Sequence, residues 1–218
     1  MSERLPLFPL DGVLFPEMLM PLHIFEPRYR LLVKRSLAKD SPFGIVLADR
    51  GESGGARPGA VGASAAIVGH TPLPDGRSFI VIRGLRRFRI DSVDSTTEPY
   101  QVGRITWLED DDGAGAERLA DLAADAFSEY LNGIVAAANE TRAEATDASD
   151  MRSGTPRDVS FRVAAGLAID ATERQRLLEA STVEVRLRSE IGLLERENAL
   201  LRELLLRLRT SGEGPVLN

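Results

Sequence analysis

The apolar residues of this chain change their spacing once, at Glu109-Asp110-Asp111-Asp112-Gly113, and that change divides the fold. Before it, short apolar runs alternate with prolines and glycines, the pattern of strands and turns. The runs are Arg4–Phe8, Gly12–Phe15, Met18–Leu22, Phe43–Ala48, Val61–Pro72, Phe79–Arg83, Arg87–Val93 and Tyr100–Leu108. Leu73-Pro74-Asp75-Gly76 is a turn signal, and Gly84 separates the two runs on either side of it. One helix is predicted among them, over Pro27–Asp40. Pro27 suits its first position, and Tyr29, Leu32, Val33 and Leu37 recur at helical spacing. Many short strands with one early helix predict a small closed or nearly closed barrel. Alternation puts Phe88, Ile90 and Val93 inside it and Arg87, Arg89 and Asp91 outside.

Beyond Gly113 the pattern is helical. Leu119, Leu122, Ala126, Tyr130 and Ile134 mark one face of a helix over 116–138. Asn139–Gly154 holds almost nothing apolar and reads as a mobile loop, as does the glycine-rich Arg50–Pro58. Thr155-Pro156-Arg157-Asp158 supplies a cap, a proline and an acid for a helix start. Thr172 with Gln175, and Ser181 with Glu184, match the capping box. Helices are therefore expected near 156–168, 173–179 and 182–209. The fold class is α+β, with a β-rich part over 1–110 and a helical part over 111–218.

The last helix carries a heptad. Leu187, Leu194, Leu201 and Leu208 recur every seven residues as d positions, which puts Ile191, Asn198 and Leu205 at a. Leucine at d with one asparagine at a suits a parallel two-stranded coiled coil. Burial within the helical part is expected up to about Leu194. From there Leu194, Asn198, Leu201, Leu205 and Leu208 form the candidate seam for self-association, as a homodimer or with a partner helix.

Several functions are disfavoured by composition. The 218-residue chain has no cysteine, so thiolate catalysis, thiolate metal sites and disulfides are out. Its net charge of −6 is poorly matched to a phosphate backbone, which makes nucleic acid an unexpected partner. The apolar stretch Leu5–Leu22 is broken by Pro6, Pro9, Pro16 and Pro21, so it suits neither a membrane span nor a signal peptide, and a cytoplasmic location is expected. Neither Lys34 nor Lys39 follows a glycine, so no phosphate-binding loop is present. His23 and His70 lack acidic companions at ligand spacing; no metal or cofactor is expected, and His23 reads as a structural histidine in a barrel turn. Asp110, Asp111 and Asp112 read as a solvated linker, and Glu26 with Arg28 as a local ion pair. No catalytic residues are assigned.

Four blocks carry a resemblance. They are LPLFPL (5–10) with VLFP (13–16) and PLHIFEPRYR (21–30); FGIVL (43–47); Asp75-Gly76-Arg77 with GLRRFRI (84–90); and QRLLE (175–179) with Arg186-Leu187 and Leu193-Leu194. In this order they resemble the N-terminal, substrate-binding domain of Lon proteases over roughly residues 3–200, and more closely the stand-alone bacterial proteins made of that domain. The resemblance implies a pseudo-barrel related to the PUA fold, then a helical bundle. It also implies a non-catalytic module that recognises unfolded or tagged polypeptides, as an adaptor or chaperone-like factor.

Within that reading, Leu14, Phe15, Met18, Leu19 and Met20 are the candidate polypeptide-binding residues. Methionine adapts to varied partners, although the barrel interior competes for most of these side chains. The rival reading is RNA binding by the Arg83–Arg89 strand region, where Arg83, Arg86, Arg87 and Arg89 concentrate positive charge.

Overall fold

A computed structural model describes residues 3–49, 55–137 and 151–212, with side chains as far as Arg207. Most of Arg50–Pro58 and of Asn139–Gly154, the two stretches read as loops, lies outside the described residues, as does the side chain of Leu208.

The strands are β1 (Glu3–Leu10), β2 (Leu19–Ile24), β3 (Phe43–Leu47), β4 (Val61–Pro72), β5 (Ser78–Asp94) and β6 (Val102–Trp107), with helix α1 (Pro27–Lys39) between β2 and β3. Gly12–Phe15, expected as a strand, is a connection with bends, because Pro16 follows it and its residues cross the barrel instead of joining it. The two runs flanking Gly84 form one strand of 17 residues, β5. Along one edge β5 pairs with β4; along the other it pairs first with β2, through Ser78–Arg83, and then with β6, through Phe88–Asp94. Strand β1 runs parallel to β3 and antiparallel to β6, so β5, β4, β3, β1 and β6 close into a barrel with β2 added at one end.

Gly84 sits where β5 passes from one partner to the other. The chain before β2 crosses it there: Glu17 N donates to Gly84 O at 2.9 Å, and Gly84 N donates to Met18 O at 3.0 Å. A Cβ at 84 would stand 2.0 Å from the Phe15 carbonyl oxygen, which only glycine avoids.

Two apolar clusters pack on opposite faces of the sheet, since neighbours such as Leu7 and Phe8, or Ile45 and Val46, fall in different ones. One is built on Phe8, Tyr29, Phe43, Ile45, Ile80 and Ile82, with α1 covering it through Tyr29, whose ring stacks on Phe8 at 3.9 Å between centroids. Burial pushes the Tyr29 phenol above its ordinary pKa. The other cluster is Leu5, Leu7, Val46, Phe88, Ile90 and Ile105, with Trp107 edge-on to Phe88.

The helical expectations hold for most elements, with corrections at the caps and faces. The remaining helices are α2 (Ala116–Ala137), α3 (Pro156–Gly166), α4 (Ala171–Glu179) and α5 (Val183–Gly212). Thr155 and Asp158 cap α3 reciprocally, Asp158 N donating to Thr155 Oγ1 and Thr155 N to Asp158 Oδ2. Helix α4 is capped by Asp170, whose Oδ1 accepts from Thr172 N and Glu173 N, not by Thr172. Gln175, free of capping duty, donates to Val61 O. At α5 the cap is Thr182, whose Oγ1 accepts from Val185 N, one residue beyond the expected Ser181.

Contacts divide the chain into two compact units. The first runs to Glu109 and takes back Ala164–Ala180; the second is Asp110–Val163 with the segment from Ser181 onward. The simple division at 110 misses that return of α4 to the barrel. In the second unit α2 lies along α5 with both helices running the same way. Val183 N donates to Asp111 O near the start, Asn198 Nδ2 to Ala126 O in the middle, and Arg202 pairs with Glu129 further on. The buried side of α2 is Ala116, Ala120, Ala123, Ala124, Phe127, Ser128 and, as expected, Tyr130, while Leu122 and Ile134 of the same expected face are exposed.

Asp110 is not a solvated linker. Its carboxylate is buried and accepts from Arg186 at 3.0 Å and Arg157 at 3.1 Å. Arg186 is fully buried, donating also to Ser160 Oγ and lying 4.0 Å over the Phe161 ring.

Candidate functional site

The outer face of β2 is apolar where a strand face open to water is ordinarily polar. Period-two alternation turns Leu19, Pro21 and His23 outward, opposite Arg83, Val81 and Phe79 of β5. Thr71 and Gly69 of β4 continue the rows, and the irregularity between Ile67 and Gly69 pushes Val68 out beside them. Leu19, Phe79, Phe25 and Val68 are 55, 51, 59 and 50% exposed. His23 is no turn histidine; its ring stacks on Phe79 at 4.7 Å and lies tilted toward Phe25 at 5.7 Å. Offset aromatic contacts of this kind order the exposed rings against one another.

Beside this face, β1 and β2 leave a seam. Residues 8–10 of β1 pair with β3 only, and β2 pairs with β5 only, so one edge of each is open. A groove of about 390 Å³ follows the seam, lined by Phe8, Leu10, Leu22, His23, Phe25 and Arg28 among others. Pro9 and Pro21 stand on the two open strands and have no N–H to offer, a common protection of sheet edges. Recognition here therefore rests on side chains more than on strand addition. Arg28 is held by Glu26 at 2.8 Å, the ion pair expected from the sequence.

The expected binding residues divide sharply. Leu14 and Phe15 are fully buried, and Met18 and Met20 pack against the barrel core, so of the five only Leu19 is presented to solvent. The Phe15 ring lies under the Arg174 guanidinium at 5.0 Å, and Met18 Sδ accepts from Arg174 Nη2. Sequence reasoning missed Phe25, Phe79 and Val68. Phe79 was visible as an outward position once β5 had been paired with β2, but nothing local marked its exposure.

The first part of the self-association seam, as far as Leu201, is taken within the chain. Leu187 and Leu194 are buried, Asn198 is bonded to Ala126 O, and Leu201 and Leu205 are partly buried. Leu201 also closes on Gly133, where a Cβ would meet it at 3.1 Å.

The arginine strand does not form one cationic strip. Arg87 points to the face opposite Phe88, as expected, but is only 2% exposed because the returning segment covers it, and it donates to Leu178 O, Ala180 O and Glu109 O. The returning α4 segment ends over this part of β5, and its last carbonyls need a donor. Arg86 is paired with Glu109 and lies 4.8 Å over Trp107. Among the described residues no cluster of three or more His, Asp or Glu side chains could hold a metal, and no helix is long and apolar enough to cross a membrane.

Comparison with known proteins places this chain in a family. Residues 4–196 match the family described as the ATP-dependent protease La (LON) substrate-binding domain. The chain belongs to this family. The match is to that domain and not to the ATPase or the peptidase. Relatives at the sequence level are Lon proteases: 25% identity with that of Chloroherpeton thalassium, over 94% of this chain and 24% of the relative. The Lon protease of Escherichia coli K12 is 28% identical over 92% of this chain and 26% of its own length. The chain thus spans about a quarter of these relatives. Two solved structures share the fold: a Lon N-terminal domain protein from Xanthomonas campestris (TM-score 0.62, 26% identity, 87% of this chain and 98% of that one) and the N-terminal domain of the Mycobacterium avium complex Lon protease (TM-score 0.67, 17% identity, 88% and 98%).

Proposed function

We propose that this Lon substrate-binding domain recognises unfolded polypeptides without cutting them, through the face formed by Leu19, His23, Phe25, Phe79 and Val68. The observation that carries this reading is the exposed aromatic cluster His23–Phe25–Phe79 beside the β1–β2 seam. Exposed apolar patches of this kind mark sites where a partner supplies the missing contacts. Arg83 is the charged member of these paired rows, at the Leu19 end, so at the His23–Phe79 end an unfolded segment meets rings and aliphatic groups. Adaptor or chaperone-like work in the cytoplasm is consistent with such a module.

Binding is measured by fluorescence anisotropy with a labelled, uncharged polypeptide of leucine, phenylalanine and serine that cannot fold. Phe25→Asp and Phe79→Asp are expected to weaken it at least tenfold each while leaving the thermal midpoint near that of the parent, since both side chains are exposed. Association should persist in 1 M salt because apolar contacts are not screened. Unchanged affinity in both variants would overturn the assignment of this face.

A further inference from the structure

A second surface, separate from the aromatic face, carries an unmet charge. The groove between α1 and the β4–β5 hairpin has a volume of about 800 Å³, twice that of the seam. Its floor is apolar, formed by Leu31, Leu37, Ala38 and Pro72, and Leu37 is exposed. Its rim is basic: Arg30, Lys34 and Arg77 line it, and no acidic residue does.

The cations of α1 are not treated alike. Arg28 is paired with Glu26, and Arg35 with Glu98 and the Tyr100 hydroxyl. Arg30 and Lys34 have no ion pair or hydrogen bond among the described residues, although they sit four apart and repel each other on the helix surface. The hairpin turn is shaped around the first of them. Gly76 adopts φ +80°, and a Cβ there would strike Arg30 Nη2 at 2.0 Å. Arg77, the third cation, is already held by Asp75. In a chain of net charge −6, two uncompensated like charges over an apolar floor serve a partner better than they serve the fold.

We infer that this groove docks an acidic polypeptide segment, with two carboxylates on Arg30 and Lys34 and a leucine-sized side chain on the floor beside Leu37. Side chains four apart on a helix are roughly 6 Å apart, so acids two apart in an extended segment or four apart in a helical one fit the pair. This goes beyond the aromatic face, which selects for apolar sequence and is indifferent to charge. The groove instead selects a partner by sign.

The test uses the full chain and two labelled 12-residue peptides of leucine and serine, one carrying glutamates and the other lysines at the same positions. The parent protein is expected to bind the glutamate peptide, to lose at least tenfold in affinity for it between 50 and 500 mM salt, and to bind the lysine peptide at least tenfold more weakly at 50 mM salt. The double variant Arg30→Glu with Lys34→Glu should lose the glutamate peptide at least tenfold and gain the lysine peptide. Its affinity for the uncharged unfolded polypeptide should not change, whereas Phe79→Asp should show the reverse pattern. Failure of this inference and failure of the aromatic face are thus read on different probes. Equal binding of both peptides, no binding of the glutamate peptide, or its retention by the double variant would each overturn the groove's assignment. Displacement of the glutamate peptide by equimolar octanoate would overturn it in favour of a small anionic amphiphile.

Discussion

Glu190 is a carboxyl group buried in α5 with neither oxygen hydrogen-bonded, one turn after Arg186. Burial pushes its pKa well above the carboxylate range, and the nearby Arg186 guanidinium only partly opposes that. Because the folded pKa lies above the unfolded one, the protonated group favours folding fully below pH of about 4.3. That contribution is lost progressively as pH rises toward the folded pKa. Glu190→Gln removes the titration. The variant's stability relative to the parent should therefore grow between pH 4 and pH 7, read as urea midpoints across that range. Parallel pH curves for the two proteins would show that Glu190 titrates normally. Arg87 is the contrasting case, a buried charge whose donors meet three backbone carbonyls. Arg87→Met leaves those acceptors without their donor and is expected to cost about 3 kcal/mol, measured by the same denaturation. In the sequence each is a charge with a polar residue before it and an apolar one after it, and only their surroundings separate them.

At the scale of elements, the heptad of α5 packs on α2 as far as Leu201. The parallel orientation that leucine at d and asparagine at a favour is realised inside one chain, with Asn198 donating to Ala126 O at 3.0 Å. Asn198→Ala is expected to destabilise the helical unit by about 1 kcal/mol, the size of a typical hydrogen bond, with no change in sedimentation coefficient. A shift to a lighter species on that substitution would mean that the seam joins two chains after all. Strand β5 makes the complementary point. Its sequence breaks at Gly84 into two apolar runs, and the strand continues through the break because glycine lets the Phe15 carbonyl approach, not because the chain turns.

For the molecule as a whole, charge decides against the RNA reading. The chain is acidic overall, Arg87 is buried, and Arg86 is engaged with Glu109 and Trp107. Anisotropy with labelled single-stranded RNA at 150 mM salt is expected to show no saturable binding below about 100 μM, the nonspecific range. Tight binding lost on Arg83→Ala with Arg89→Ala would reverse that conclusion.

What the sequence determined alone was local. Prolines, glycines and two periodicities placed the strands and helices near their observed limits, because those signals act within a few residues. The family resemblance was legible for the same reason, in blocks such as PLHIFEPRYR that stay contiguous. Which apolar side chains faced water was decided by tertiary structure. Leu14 and Phe15 are buried while Phe25 and Phe79, equally apolar, are exposed, because strand pairing and the crossing at Gly84 assign the faces. The return of Ala164–Ala180 to the barrel, the burial of Arg87 and Asp110, and the covering of the α5 seam by α2 as far as Leu201 share that origin. Each depends on residues dozens of positions apart meeting in space, and no spacing along the chain encodes such a meeting.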